Sequence, residues 1–263
     1  MELIGKISKG TKMDQIYIPK NRVGFSTGQY VVILPLNPRE KEGKEKKQFK
    51  PYFYNVKNLE LIKIRIIEEL FNLIEKRINP ENIVITGSFL EKGFKFNDLD
   101  ILLIKEEKIE TKNLSIEIEN LTGIKSHVIL LDNKTLVLGL SSDPLYSLML
   151  SKCISKNRLI FNVKREINYK LLDLHLLKSK ILFDNFDILG GNEKYYSTLN
   201  MVSIFLFIQG RKLSKEIVNK EIEKMFDVKI EEIKENTINK QGFLKKYKEI
   251  YNKSFNLIME GIK

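Results

Sequence analysis

The stretch IVITGSFLEKGFKFNDLDILLI, residues 83–104, decides how the whole chain is read. It opens on one apolar run, Ile83-Val84-Ile85, and closes on another, Ile101-Leu102-Leu103-Ile104. Runs this short and this continuous suit strands covered by helices. Gly87-Ser88 leaves the first strand for a short helical turn, and Asp98-Leu99-Asp100 enters the second. Side chains alternate along a strand, so Asp98 and Asp100 share one face. Two like charges there repel, which is costly unless a cation lies between them. Mg²⁺ (or Mn²⁺) is the natural occupant, because it prefers carboxylate oxygens and shares its shell with phosphates. The Gly-Ser turn offers what a triphosphate needs nearby: close backbone approach, exposed amides and a hydroxyl.

Outward from this stretch the pattern is mixed. Before it, Leu59, Ile62, Ile66, Leu70, Leu73 and Ile74 recur at helical spacing, with Lys63, Glu68, Glu69 and Lys76 placed off that face. Asn79-Pro80 stops the helix. After it come a polar helix over 113–121 and a third strand run, Val128-Ile129-Leu130-Leu131. Beyond Asp143-Pro144 the spacing predicts helices over about 144–154, 166–184, 193–209, 214–226 and 239–260. The fold class is α+β. The expected parts are a β module over 1–36, a charged linker over 37–57, a sheet domain over 58–140 and a helical domain over 141–263.

The motif resembles the signature of the DNA polymerase β nucleotidyltransferase superfamily: apolar residues, Gly-Ser, a spacer, then Asp-x-Asp between apolar neighbours. The likeness covers about residues 59–160 and looks closest to the small "minimal" nucleotidyltransferases. It implies a mixed sheet with flanking helices, triphosphate binding at Gly87 and Ser88, and Mg²⁺ held by Asp98 and Asp100. It also implies transfer of a nucleoside monophosphate from an NTP, with release of pyrophosphate. The later helices, from Tyr195-Tyr196-Ser197-Thr198-Leu199-Asn200 to Gly210-Arg211-Lys212, are similar to the helical partner or substrate-binding part of that group. The acceptor stays open between a protein hydroxyl, an RNA end, an antibiotic and a second nucleotide.

One departure stands out. The family places a third acid on a later strand, whereas the corresponding position in Ser126-His127-Val128-Ile129-Leu130 is His127. A neutral imidazole is a poor Mg²⁺ ligand, suits softer metals, and can act as a base near neutral pH. Asp132 has the wrong parity to share its face. His175 reads as a satisfied helix histidine, and Arg165 lies too far from it for the Arg-polar-His spacing of the helical ribonucleases that accompany minimal nucleotidyltransferases. Tyr195, Tyr196, Phe205 and Phe207 read as core, and Lys152 and Lys156 as solvated.

The N-terminal fifth is different in kind. Of the +11 net charge of 263 residues, residues 1–57 carry +7, from twelve Lys/Arg against five acids. That asymmetry points to a polyanionic partner, nucleic acid (DNA or RNA) or nucleotide, near the N-terminus. Ile16-Tyr17-Ile18 and Tyr30 to Leu34 read as strands with Gly24 and Gly28 in the turn between them, and Asn37 to Lys50 as a solvated linker. Lys9 to Leu36 resembles the AbrB-type swapped-hairpin DNA-binding domain through Asp14-Gln15-Ile16-Tyr17-Ile18-Pro19-Lys20 and Gly28-Gln29. That likeness implies a homodimer with Lys6, Lys9, Lys12, Lys20 and Arg22 on phosphates. A small β module that packs on the sheet domain or binds a substrate RNA is the competing reading. The alternative function is accordingly a DNA-binding regulator with a catalytically silent nucleotidyltransferase-like domain. At 43% hydrophobic and 30% charged the chain reads as globular. It shows no membrane-length apolar run and no export leader. The single cysteine, Cys153, fits a reducing cytoplasm.

Overall fold

The computed structural model describes residues 7–11, 14–17, 26, 31, 33, 50–161 and 163–262. The chain divides into two compact units, 1–46 and 47–263. In the first, β1 (Ile7–Ser8) pairs antiparallel with β2 (Gln15–Ile16), Ile7 opposite Ile16. β2 falls on the start of the expected Ile16 to Ile18 strand. Of the expected strand from Tyr30 to Leu34, only Val31 and Ile33 are described. Gly24, Gly28 and most of the AbrB-like segment lie outside the described residues, as does the linker up to Phe49.

The second unit is built on a five-stranded mixed sheet flanked by helices. Its strands are β3 (Tyr52–Tyr54), β4 (Asn82–Thr86), β5 (Asp98–Ile104), β6 (Lys125–Leu131) and β7 (Cys153–Ser155), in the order β3-β7-β4-β5-β6. All neighbours are antiparallel except β5 and β6, which run parallel. Between β5 and β6 lies α2 (Lys112–Thr122), as a parallel pair requires a crossover. The central strands are buried on both faces, and their alternation sorts the core into two layers. Ile83, Ile85, Leu99, Ile101 and Leu103 pack with Ile67, Leu70, Phe71 and Ile74 of α1 (Leu61–Arg77) and with Leu114 and Ile118 of α2. Val84, Leu102 and Ile104 face the other way, onto Leu136 of α3 (Asn133–Ser142) and Cys153.

Two expectations need correcting here. Tyr52–Tyr54 is a strand of this sheet rather than linker, and its Tyr54 hydroxyl accepts a hydrogen bond from Leu159 N at 2.7 Å. The helix expected over 144–154 stops early: α4 spans Pro144–Ser151, and Cys153–Ser155 is fully buried as β7. Local spacing favoured helix there, but pairing with β3 and β4 on either side satisfies the backbone better. The sheet thus gains one strand on each side of the interval expected for it. α3 was not expected; its start is fixed by Asp132, whose carboxylate accepts from Thr135 N at 2.6 Å.

The rest is helical: α5 (Tyr169–Ser179), α6 (Ile181–Asp184), α7 (Gly191–Ile208), α8 (Lys215–Phe226), α9 (Ile230–Lys234) and α10 (Lys240–Ile262). α7 is apolar nearly all round, burying Tyr195, Met201, Val202, Ile204, Leu206 and Phe207, so it forms the centre of the bundle. Tyr195 and Phe207 are core as expected, whereas Tyr196 is exposed, because it turns outward one residue after Tyr195. His175 is buried, with Nε2 3.1 Å from Asp143 Oδ2. Arg165 is also structural: it donates to the carbonyls of Phe207 and Arg211 and lies 4.6 Å from the Phe207 ring. Among the described residues no helix is long and apolar enough to cross a membrane.

Candidate metal and nucleotide site

Both halves of the motif arrive at one end of the sheet through strand register. Thr86 lies opposite Asp100 across the β4–β5 pair, so the Gly87-Ser88 turn emerges directly beside that carboxylate. Gly87 has φ +83°, a conformation that side chains with a Cβ rarely adopt. A methyl there would run into Asp100 Oδ2 and sit 3.0 Å from its Cγ. Only glycine lets the backbone approach that carboxylate so closely. Ser88 then begins a 3-10 turn, Ser88–Leu90, closed by Leu90 N and Glu91 N donating back to Gly87 and Ser88 carbonyls.

Asp98 and Asp100 emerge on the same face of β5, both half-buried, with Leu99 fully buried between them on the opposite side. On the parallel neighbour β6, His127 pairs in register with Asp100. Its Nδ1 lies 3.5 Å from Asp98 Oδ2 and 3.6 Å from Asp100 Oδ1, while the imidazole is 66% exposed at the sheet edge. One ligand atom from each of the three side chains falls within 4.8 Å of the other two, so the group could hold a metal ion. Burial raises the Asp100 carboxyl above its usual range, the charge of Asp98 adds to this, and His127 opposes it. A pair that strains against its own charge in this way is what a divalent cation relieves. Asp132 does not join the group, since it caps α3.

The loop between turn and acidic pair is pinned by a residue the sequence placed off the buried face. Lys63 is fully buried. Its ammonium donates to the carbonyls of Glu91 and Gly93 at 2.6 Å each, pairs with Glu60 at 3.1 Å, and lies 5.2–5.5 Å from the ring centres of Phe89, Phe94 and Phe96. Glu60 in turn accepts from Gly93 N at 2.6 Å. The hydropathy pattern counts a lysine as surface, and only the three phenylalanines in 89–96 signalled a cage.

Glu91 ties the same loop to the helices. It pairs with Lys152 at 2.7 Å and with Lys215 at the start of α8 at 3.0 Å. Burial pushes the Glu91 carboxyl up, but the hydrogen bonds and charges of the two lysines outweigh it and hold the group below the usual carboxylate range. Lys152 and Lys156 are therefore ion-paired rather than solvated, Lys156 with Glu75 at 2.6 Å. A cavity of about 710 Å³ lies elsewhere, among α3, α4, α5 and α10, and none of Gly87, Ser88, Asp98, Asp100 or His127 lines it. Apolar cavities mark small-molecule sites more often than charged openings do. Here the convergence of donor atoms outweighs cavity size. Of the basic residues expected on nucleic acid, Lys9 is described and exposed, while Lys6, Lys12, Lys20 and Arg22 lie outside the described residues.

No family model and no curated protein matches the chain. Among solved structures it is similar to spectinomycin adenyltransferase AAD(9) from Enterococcus faecialis, determined with ATP and spectinomycin. The identity is 14% and the TM-score 0.40, over 75% of this chain and 98% of that one.

Proposed function

We propose that this protein is a metal-dependent nucleotidyltransferase that moves a nucleoside monophosphate from an NTP to an acceptor hydroxyl. The observation that carries the reading is the close approach of the Gly87 backbone to the Asp100 carboxylate, with Asp98 on the same face. The Gly-Ser turn and the pair of carboxylates lie side by side, which supports reading them as parts of one site for a triphosphate and its cation.

On this reading Asp98 and Asp100 hold Mg²⁺ or Mn²⁺, which when bound would neutralise charge on the phosphates. The backbone amides of the Gly87–Ser88 turn and the Ser88 hydroxyl orient the triphosphate. The acceptor oxygen forms a bond to the α-phosphorus as its proton passes to water, the bridging bond to the β-phosphate breaks, and pyrophosphate leaves with the electron pair. The positioning of attacking and leaving oxygens in line falls to the residues around the turn. Incubating the protein with α-labelled NTPs and Mg²⁺ or Mn²⁺ tests the reading. Label transfer in the wild type and its loss in Asp98→Asn and Asp100→Asn is expected; equal behaviour of all three removes the assignment.

The second reading, a DNA-binding regulator with a silent domain, is favoured by the +7 carried by residues 1–57. Because β3 belongs to the sheet, a cut after Lys46 rather than after Lys57 separates the two readings. Under the regulator reading a 47–263 fragment loses salt-sensitive duplex binding. Duplex affinity unchanged by the cut would remove that reading.

A further inference from the structure

We infer that His127 is a third ligand to the cation, and that its nitrogen makes the centre select Mn²⁺ over Mg²⁺. The inference rests on the reading of Asp98 and Asp100 as metal ligands. Imidazole Nδ1 sits 3.5 and 3.6 Å from one oxygen of each carboxylate. These separations exceed an ordinary N–H···O hydrogen bond, which spans roughly 2.7–3.2 Å. Three donors each about 2.1 Å from one ion lie about 3.0 Å apart at right angles and about 4.2 Å apart when opposite, and both separations fall between those limits. The ring nitrogen therefore stands where a ligand stands, facing both carboxylates at once.

The strand geometry makes this placement specific. β5 and β6 run parallel with Asp100 opposite His127, so the imidazole leaves the sheet on the same side as the carboxylates. At 66% exposure the ring contributes little to the core, so packing does not account for its direction. The set is then two carboxylates and one imidazole, with the remaining positions open. Mg²⁺ is a hard ion that takes oxygen ligands and gains little from a nitrogen. Mn²⁺ accepts the same carboxylates, water and phosphates and, as the first and weakest-binding member of the divalent transition series, still gains more from an imidazole than Mg²⁺ does. A third carboxylate would have left the two ions closely matched; an imidazole separates them.

The probe is Mn²⁺ alone, titrated into the full chain and followed by electron paramagnetic resonance, with Mg²⁺ as competitor. Wild-type protein is expected to show a ¹⁴N coupling on the bound Mn²⁺ in pulsed measurements. In His127→Ala that coupling disappears and Mn²⁺ affinity falls about tenfold or more, a loss of the size that even indirect partners of a metal produce. Mg²⁺ affinity changes by less than about twofold, while His127→Asp raises Mg²⁺ affinity relative to Mn²⁺. Absence of the nitrogen coupling in the wild type, or an unchanged Mn²⁺ to Mg²⁺ ratio in His127→Ala, overturns the inference. Asp98→Asn and Asp100→Asn keep the two levels apart. If they abolish Mn²⁺ binding while His127→Ala does nothing, the inference alone fails. If Mn²⁺ still binds both aspartate variants, the functional reading fails with it. Thermal unfolding of each variant establishes that it is folded before it is titrated.

Discussion

The loop between β4 and β5 carries a charge cluster at each end of its work, and the two are built in opposite ways. Around Lys63 the charge is closed: two carbonyls, one carboxylate and three aromatic rings surround a fully buried ammonium. At Asp98 and Asp100 the charge is left open: two carboxylates share a half-buried face, with an exposed imidazole beside them. Charge that serves the fold is satisfied within the fold. On the proposed reading, the charge left open at the sheet end, with the Gly87 backbone close beside it, is where a cation would bind.

Substituting at either end breaks the comparison in opposite directions. Asp98→Asn and Asp100→Asn are expected to lower nucleotidyl transfer by about 10²–10³-fold or more, the scale of losing one preorganised charge-stabilising group. In metal-free protein at pH 7 the same changes relieve like-charge repulsion, so the thermal unfolding midpoint holds or rises. Lys63→Met does the reverse. It removes the ammonium from the Glu91 and Gly93 carbonyls and from Glu60, which keeps only the Gly93 amide among the contacts described, and is expected to cost about 3 kcal/mol in denaturant unfolding. A midpoint that fell in the aspartate variants and stood still in Lys63→Met would invert the account.

Smaller changes sharpen it. Gly87→Ala forces a left-handed φ on alanine and drives a methyl at the Asp100 carboxylate, for an expected loss of about 1–3 kcal/mol and weaker Mn²⁺ binding. Stability that drops without any change in metal binding would separate the turn from the site. Glu91 gives the smallest effect. Its folded-state pKa is lowered, so its contribution is present above the unfolded carboxylate value and is lost as pH falls through the folded value. Glu91→Gln should therefore be less stable than wild type near neutrality and flatter in stability against pH from about 5 downward. With Glu91 two-fifths exposed, the difference is expected to stay under about 1 kcal/mol.

What the sequence made legible was local. Period-two alternation placed Asp98 and Asp100 on one face, and helical spacing located α1, α2 and the bundle. The third strand was read well enough to single out His127. What it hid was long-range. β7 owes its existence to partners at Tyr52–Tyr54 and in β4, about which residues 153–155 say nothing by themselves. The Glu91 pairs span 61 and 124 positions, and no window shows them. Lys63 was misplaced for a chemical reason, since a long aliphatic stem can enter a core once carbonyls and rings receive its charged end. The exposed turn of Tyr196 beside buried Tyr195 follows from the packing of α7, which spacing resolves only to about one residue.

The most direct test is calorimetric titration of a non-hydrolysable NTP analogue with Mn²⁺ into wild type, Asp98→Asn and Asp100→Asn. Binding that needs the divalent ion and is lost in both variants is the predicted result. Analogue binding that is independent of metal, or retained at wild-type strength when either carboxylate is removed, would contradict a shared cation beside the Gly87–Ser88 turn.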